Sequence, residues 1–433
     1  MAENNIGVGL MGLGVIGGQV AKVLTGKADL LAARAGRRVV LRRIKVLEQD
    51  LNRPQAREMD SSLFTTSEEE FFGDPGIDII IELIGGEEPA FTYQKKALES
   101  GRHVVTANKD VIAMHGAELT ALARQRSVSL HYEAAVGGGI PLIAPFQRDL
   151  IANKINGIYA IINGTTNYIL TRMFREGIDF AAALSQAQKL GYAEADPRKD
   201  VEGIDASFKL AILASLAFQS QVRPEDIFCE GISKIASRDF RYARDWGFTI
   251  KLLAIAKDHD GAIEARVHPV FIPDDRFLAK VDGVYNAVLV DGDLIGHVTF
   301  LGQGAGALPT SSAVVADVVQ AARDIVCGNW GRAQLEQAKN KPIKPMAELK
   351  TRYYIRMNIA DRAGVLAQIA GAFGDNKISI ASAIQKEADE KSRTAEMVIM
   401  THPAKEKAVQ TALVELKKLD SVIEINNTIR VEE

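Results

Sequence analysis

Along the first third of the chain, short apolar runs alternate with stretches of helical periodicity. Residues 6–11 (IGVGLM) are apolar and lead directly into GLGVIGGQV, after which a 3.6-residue pattern continues to about Arg34. Further β-rich or apolar runs occur at 37–48, 76–86, 102–109 and 128–139, with helical patterns at 89–100 and 110–125 between them. Strands that alternate with helices predict a parallel sheet covered on both faces.

The pattern changes from about residue 140 to 305. Runs at 179–190, 200–218 and 246–257 read as helices, whereas 154–164, 263–272 and 285–302 read as β-structure, which predicts a separate α+β domain. Residues 310–326 form one amphipathic helix, and 340–351, with Pro342, Pro345 and several lysines, reads as a linker. After it the pattern restarts. Strands are expected at 353–359, 378–385, 394–400 and 422–430, with helices at 364–374 and 404–418, a β-α-β-β-α-β order.

Composition narrows the function classes. The chain has 433 residues, 47% of them hydrophobic, enough for several domains with cores of their own. A net charge of −3 gives no reason to expect nucleic acid or an anionic membrane as a partner. Two cysteines, Cys229 and Cys327, offer neither a disulfide framework nor a zinc-spaced cluster, which fits a reducing, cytoplasmic setting. The N-terminal residues lack a basic segment, and no run reaches the roughly 18–20 apolar residues of a membrane span, so neither a signal peptide nor a membrane partner is expected.

Four segments carry candidate chemistry. Gly12-Leu13-Gly14-Val15-Ile16-Gly17 follows a strand and opens a helix, the setting in which G-x-G-x-x-G binds a dinucleotide pyrophosphate. An acid at Glu48 or Asp50 favours a ribose hydroxyl and NAD, whereas Arg42, Arg43, Arg53 and Arg57 would suit the 2′-phosphate of NADP; the sequence leaves both open. Thr106-Ala107-Asn108-Lys109 ends another strand, where open α/β sheets bind ligands, although a solvated loop lysine also fits. Glu133 to Pro141 contains three consecutive glycines, which would serve close packing or expose carbonyls to a small cation. Asn163-Gly164-Thr165-Thr166-Asn167 begins a helix and is either an anion site or plain N-capping.

The segment at 191–214 raises the sharpest question. Asp205 and Lys209 lie four apart on a predicted helix beginning near Val201, with Glu194 and Asp196 just before. Phe208, Ile212, Leu213 and Leu216 place the lysine beside apolar side chains, which favours proton-transfer chemistry over a surface ion pair. A nicotinamide alcohol dehydrogenase needs a group to move the hydroxyl proton. No Cys/His set has zinc spacing, and none of the nine tyrosines has a lysine four residues on. His103, His131 and His268 leave a His–Asp arrangement open, but nothing selects one, so a lysine base is the favoured device.

Together GLGVIG (12–17), TANK (106–109), EAAVGGGIP (133–141), NGTTNYIL (163–170), GYAEADPRKDVEGIDASFKL (191–210) and GQGAGALPT (302–310) closely resemble homoserine dehydrogenases over essentially the whole chain. The tail, with DRAGVLAQIAGAF (361–373) and NKISIASAIQ (376–385), resembles an ACT domain. The resemblance implies a Rossmann-type doubly wound sheet over 1–135, completed by a helix at 310–330. It implies a central α+β catalytic and dimerisation domain over 136–309, a linker over 331–351 and a ferredoxin-like ACT domain over 352–433.

The implied reaction interconverts L-homoserine and L-aspartate 4-semialdehyde with NAD(P)H, in threonine, methionine and isoleucine biosynthesis. In that reading Lys209 is the acid/base and Asp205 orients it and the substrate oxygen. Glu194 binds the substrate ammonium near Gly164 and Thr165, and Lys109 lies between nicotinamide and substrate. Gly12 to Gly17, Thr106 and Gly304 hold the dinucleotide. Carbonyls of Glu133, Val136, Gly138 and Ile140 hold a sodium ion. An ACT tail implies an amino-acid effector such as threonine and a homodimer or homotetramer. Gln49-Asp50 stands where NADP-using relatives often carry Arg-Asp, and Ala363 replaces the proline of the usual D-x-P-G turn. The alternative class is a non-catalytic dinucleotide-binding amino-acid sensor.

Overall fold

The computed structural model describes residues 5–259, 261–328, 340–389 and 393–433. By their contacts these form two compact units, one of residues 1–158, 208–226 and 286–341, the other of 159–207, 227–285 and 342–433. The first part of the expected linker, 331–339, and the end of the helix expected at 310–330 lie outside the described residues.

The first unit is built on six parallel strands: β1 (Ile6–Met11), β2 (Val39–Lys45), β3 (Phe64–Thr65), β4 (Ile79–Glu82), β5 (His103–Thr106) and β6 (Leu130–His131). Their spatial order is β3-β2-β1-β4-β5-β6, the Rossmann order, with its switch point between β1 and β4. Residues of β1 and β4 are all buried because helices cover both faces. The core includes Val8, Leu10, Val20, Ile79 and Ile81, together with Val314 and Val318 of the helix Ala307–Cys327.

The other strands, in chain order, are β7 (Ile155–Ile161), β8 (Phe228–Cys229), β9 (Phe248–Asp258), β10 (Ile263–Pro273), β11 (Tyr285–Gly292), β12 (Gly296–Gln303), β13 (Lys350–Ala360), β14 (Ile380–Asp389), β15 (Thr394–Thr401), β16 (Ala404–Lys405) and β17 (Val422–Val431). In the second unit a mixed sheet runs β9-β10-β17-β13-β15-β14. Its last four strands, with helices Val365–Asp375 and Glu406–Leu416, give the expected ferredoxin-like tail. The final strand, β17, is antiparallel to β13 and parallel to β10, where Val270 meets Arg430 and Phe271 meets Val431.

A buried ionic cluster reinforces that junction. Asp239 is fully buried and accepts from Arg356 Nε (2.7 Å), the Tyr354 hydroxyl (2.8 Å) and the Asn427 amide (2.8 Å). Arg356 also donates to Glu396 at 3.1 Å, whose other oxygen accepts from Tyr242 at 2.8 Å. Among the described residues no helix is long and apolar enough to cross a membrane.

Three local expectations need correction. Residues 246–257 do not form a helix: the run becomes β9, paired along its whole length with β10 and buried from Thr249 to Ala256. A strand buried on both faces loses its period-two signature. The strand expected over 128–139 shrinks to Leu130–His131 and gives way to a 3₁₀ turn at Glu133–Ala135. The helix carrying Lys209 starts at Ile204 because Gly203, at φ +81°, breaks it from the turn Arg198–Val201.

Candidate active site

At the carboxyl end of β1 the three glycines of the turn have three different surroundings. Gly12 sits at φ +93°, and a Cβ there would lie 2.7 Å from the Leu83 carbonyl of the neighbouring strand end. A Cβ on Gly17 would lie 2.1 Å from the Gly12 carbonyl, so this position closes the helix onto the turn. A Cβ on Gly14 would meet nothing within 4 Å, so backbone is bare toward open space at the start of helix Val15–Gly26. These are the surroundings expected of a tight turn, a close helix–strand approach and an exposed pyrophosphate cradle. The protein's own groups thus fit a dinucleotide.

Beyond β2 the acids and arginines divide. Asp50 is buried, caps its own 3₁₀ turn and accepts from Arg53 Nε at 2.6 Å. Arg42 and Arg43 lie 3.7 and 3.6 Å from Asp74, and Arg43 lies 3.0 Å from Glu70.

Thr106 ends β5 fully buried. Its hydroxyl donates to Glu82 at 2.8 Å and accepts the Asn108 N–H at 2.9 Å. Asn108 caps the next helix by accepting the Val111 N–H, and it donates to the Gly86 carbonyl at 2.7 Å. Lys109 follows as the first helical residue, half-buried, with its amine 4.0 Å from Asp110.

The glycine bend after β6 is held from both sides. The Glu133 carboxylate accepts N–H groups of Leu142, Ile143 and Ala144 at 2.5, 2.8 and 2.7 Å, and the Glu133 N–H donates to Asp317 at 2.8 Å. Gly137 and Gly138 sit at φ +74° and +57°, and a Cβ on Gly138 would lie 2.7 Å from the Gly304 carbonyl. A Cβ on Gly304 would collide with Asn286 at 2.0 Å. Gly138 and Gly304 are thus brought together within the first unit, backbone against backbone. Because the Glu133 carboxylate is used internally, the bend would offer a cation carbonyl oxygens, a hard donor set suited to a small monovalent ion.

Behind this bend His131 lies 3.1 Å from Asp324, a pair whose partners are too far apart in sequence to be read there. Burial opposes charge on His131, but its bond to Asp324 and the charge of Asp317 hold its pKa above the ordinary histidine value. Burial pushes the Asp317 carboxyl up to about 7, against the pull of His131. Among the described residues, no group of three His, Cys, Asp or Glu side chains could hold a metal ion.

In the second unit Asn163 organises the predicted substrate residues. Its side-chain oxygen accepts the Thr166 N–H at 2.9 Å, capping helix Gly164–Glu176. Its amide donates to Asp200 at 2.8 Å and to Asp205 at 2.9 Å. Thr165 donates to the Tyr192 carbonyl at 2.6 Å, fixing the loop that carries exposed Glu194 beside the Gly164-Thr165 turn. Asp196, exposed, makes a multiple contact with Arg198, which lowers its pKa to about 2. Asn167 is consumed by the fold, donating to the carbonyls of Val281 and Tyr285. Asp200 is the participant that sequence reading missed; its place in PRKDVEG, within the acid-rich segment, is the only signal for it.

Asp205 and Lys209 lie one turn apart on helix Ile204–Phe218, both half-buried. Leu213 and Ile212 on that helix are buried, as the apolar spacing implies, while Phe208 and Leu216 are half-buried.

Comparison with known proteins agrees over the full length. The homoserine dehydrogenase profile matches residues 141–319, the homoserine dehydrogenase NAD-binding domain residues 12–133, and the ACT domain residues 353–421. A homoserine dehydrogenase of Neisseria gonorrhoeae is 42% identical over 433 residues, covering 99% of this chain and 98% of the relative. The crystal structure of a homoserine dehydrogenase from Thiobacillus denitrificans superposes with a TM-score of 0.91 at 42% identity, covering 99% of each chain. A hyperthermophilic archaeal homoserine dehydrogenase in complex with NADPH has a TM-score of 0.63 at 26% identity, over 73% of this chain and 97% of that one.

Proposed function

The chain belongs to the homoserine dehydrogenase family of NAD(P)-dependent oxidoreductases, and on that premise we propose that it interconverts L-homoserine and L-aspartate 4-semialdehyde with Lys209 as the proton-transfer group. The observation that carries the reading is the placement of Asp205 one helical turn before Lys209, with the Asn163 amide fixing the carboxylate at 2.9 Å.

Bound nicotinamide exchanges the hydride. The chain's own residues do the rest. In the oxidative direction the neutral Lys209 amine takes the proton of the alcohol; in the reductive direction its ammonium returns a proton to the aldehyde oxygen. Asp205 orients the amine and that oxygen. Glu194 receives the substrate ammonium, and Gly164 and Thr165 at the helix start favour its carboxylate. Lys109, at the carboxyl end of β5, stands at the edge where open α/β sheets bind ligands.

Gly12, Leu13, Gly14, Val15, Ile16 and Gly17 hold the pyrophosphate, supported by the open space above Gly14. Thr106 shapes the adjoining loop, its hydroxyl being engaged with Glu82, and Gly304 contributes bare backbone. Either NAD or NADP serves as cofactor in this reading: an archaeal relative is in complex with NADPH, and the engagement of Asp50 by Arg53 is compatible with both. Carbonyls of Glu133, Val136, Gly138 and Ile140 form a sodium cradle, supported by the clasped bend. The tail binds an amino-acid effector such as threonine in a homodimer or homotetramer, and the protein serves threonine, methionine and isoleucine biosynthesis in the cytoplasm.

The test is homoserine-dependent reduction of NAD⁺ and NADP⁺ by the purified protein, with and without sodium and threonine. Absence of turnover with both cofactors would leave the amino-acid sensor reading in its place.

A further inference from the structure

We propose that a cavity of about 410 Å³ in the second unit is a binding site for the anionic oxygens of a small ligand carrying a carboxylate or phosphate group. None of the residues assigned above to substrate, cofactor or sodium lines it. Its walls come from β9 and β10, from the start of β13 and from the end of β17.

The decisive residue is Arg266, in the first half of β10 and 2% exposed. Its Nη2 lies 2.8 Å from Glu432 and 3.0 Å from Glu264. Its Nε and Nη1 have no acceptor among the described residues. A guanidinium carries five N–H donors, one on Nε and two on each terminal nitrogen, so most of this buried donor set is unused. Buried donors are rarely left so, because the loss of water is not repaid.

The acids around the cavity each have a cation nearby, although Glu264 Oε1, 3.0 Å from Arg266 Nη2, accepts no hydrogen bond among the described residues. Glu432 accepts from Lys257 at 2.5 Å, Glu264 lies 3.1 Å from His259 and 3.8 Å from Lys344, and Glu433 pairs with Arg352 at 2.7 Å. Lys350 stands exposed at the rim. Lysines and arginines outnumber the glutamates, so the enclosed space has cationic character and unspent planar donors. That combination recognises carboxylate and phosphate oxygens. A ligand seated there would touch both the β9–β10 pair and the tail strands, and would link them.

The experiment uses the full chain. Inorganic phosphate, acetate and glycine are titrated separately at constant ionic strength and followed by thermal shift and calorimetry, for wild type, Arg266→Lys and Lys350→Glu. The expected result is a saturable response to phosphate, or to acetate or glycine, that identifies the anion class. Affinity should weaken at least about tenfold in either variant, since one loses the planar donors and the other reverses the rim charge. Lys350→Glu keeps the test decisive if the buried substitution fails to fold. No saturable binding by wild type, as when water alone fills the cavity, overturns the proposal, as does unchanged affinity in both variants. Either outcome leaves homoserine oxidation untouched, so the two readings fail separately.

Discussion

The side-chain amide of Asn163 reaches across from its own helix start to the Asp205 carboxylate at 2.9 Å, and the same nitrogen holds Asp200 at 2.8 Å. One uncharged residue therefore separates two acids and caps a helix at once. The geometry explains why asparagine, with an acceptor and a two-hydrogen donor, serves here where serine or aspartate would do only part of the task.

Asn163→Ala should lose both functions. The missing cap alone should lower stability by about 1 kcal/mol, read by urea unfolding. The released Asp205 should reduce kcat/KM for homoserine by roughly ten- to a hundredfold, the worth of a lost bond to a charged group. Asn163→Asp should be worse for activity than alanine, because it adds a third carboxylate to the pair.

Replacing Lys209 by alanine should leave circular dichroism and melting unchanged while turnover falls by about 10²–10⁴ in both directions. Lys209→Arg should be equally poor, since a guanidinium keeps its proton in any working pH range. Turnover within a few-fold of wild type in either variant would remove the lysine from the mechanism.

The glycine turn offers a contrast within one motif. Gly14→Ala should fold normally, since no atom lies within 4 Å of the new methyl, yet raise the cofactor KM about tenfold or more by blocking close backbone approach. Gly17→Ala places a methyl 2.1 Å from the Gly12 carbonyl and should yield little folded protein. Equal effects of the two on melting temperature would contradict this division.

In the first unit acid removes the contribution of His103, while Asp317 and His131, both held above their ordinary values, act in the opposite sense. Burial, with the nearby His131, pushes the His103 pKa down to about 4, below the ordinary value of an unfolded histidine. The neutral form is therefore favoured in the folded state. Its stability contribution is complete above about pH 6.5 and is lost as pH falls toward 4. Between pH 7 and 5 the His103 contribution alone should fall by about 2 kcal/mol, read as the difference between wild type and His103→Asn in urea unfolding.

Much of this architecture could be read from the chain. The strand–helix alternation placed five of the six parallel strands, and the order of the tail was legible from its succession of β-rich and helical runs. The reading failed at β9, where burial on both faces erased the period. It also failed where a side chain diverted the backbone: Glu133 spends its carboxylate on the N–H groups of 142–144, and the expected strand ends early. The acid–lysine helix announced itself by spacing. The Asn163–Asp205 bond did not, because only the folded chain brings residues 163 and 205 together.

The parallel pairing of β10 with β17 ties the timing of assembly to the order of synthesis. Val270 and Phe271 leave the ribosome long before Arg430 and Val431, and at usual elongation rates the wait is roughly ten to thirty seconds. During that interval the stretch of β10 at Val270–Phe271 lacks its partner, since β8 pairs that strand only at Arg266 and Val267, and the bare stretch invites pairing with another nascent chain. Closure by β17 makes the ACT tail a late guard of the central sheet. Heat or dilution that frees the tail should accordingly favour precipitation before it exposes the glycine-turn core.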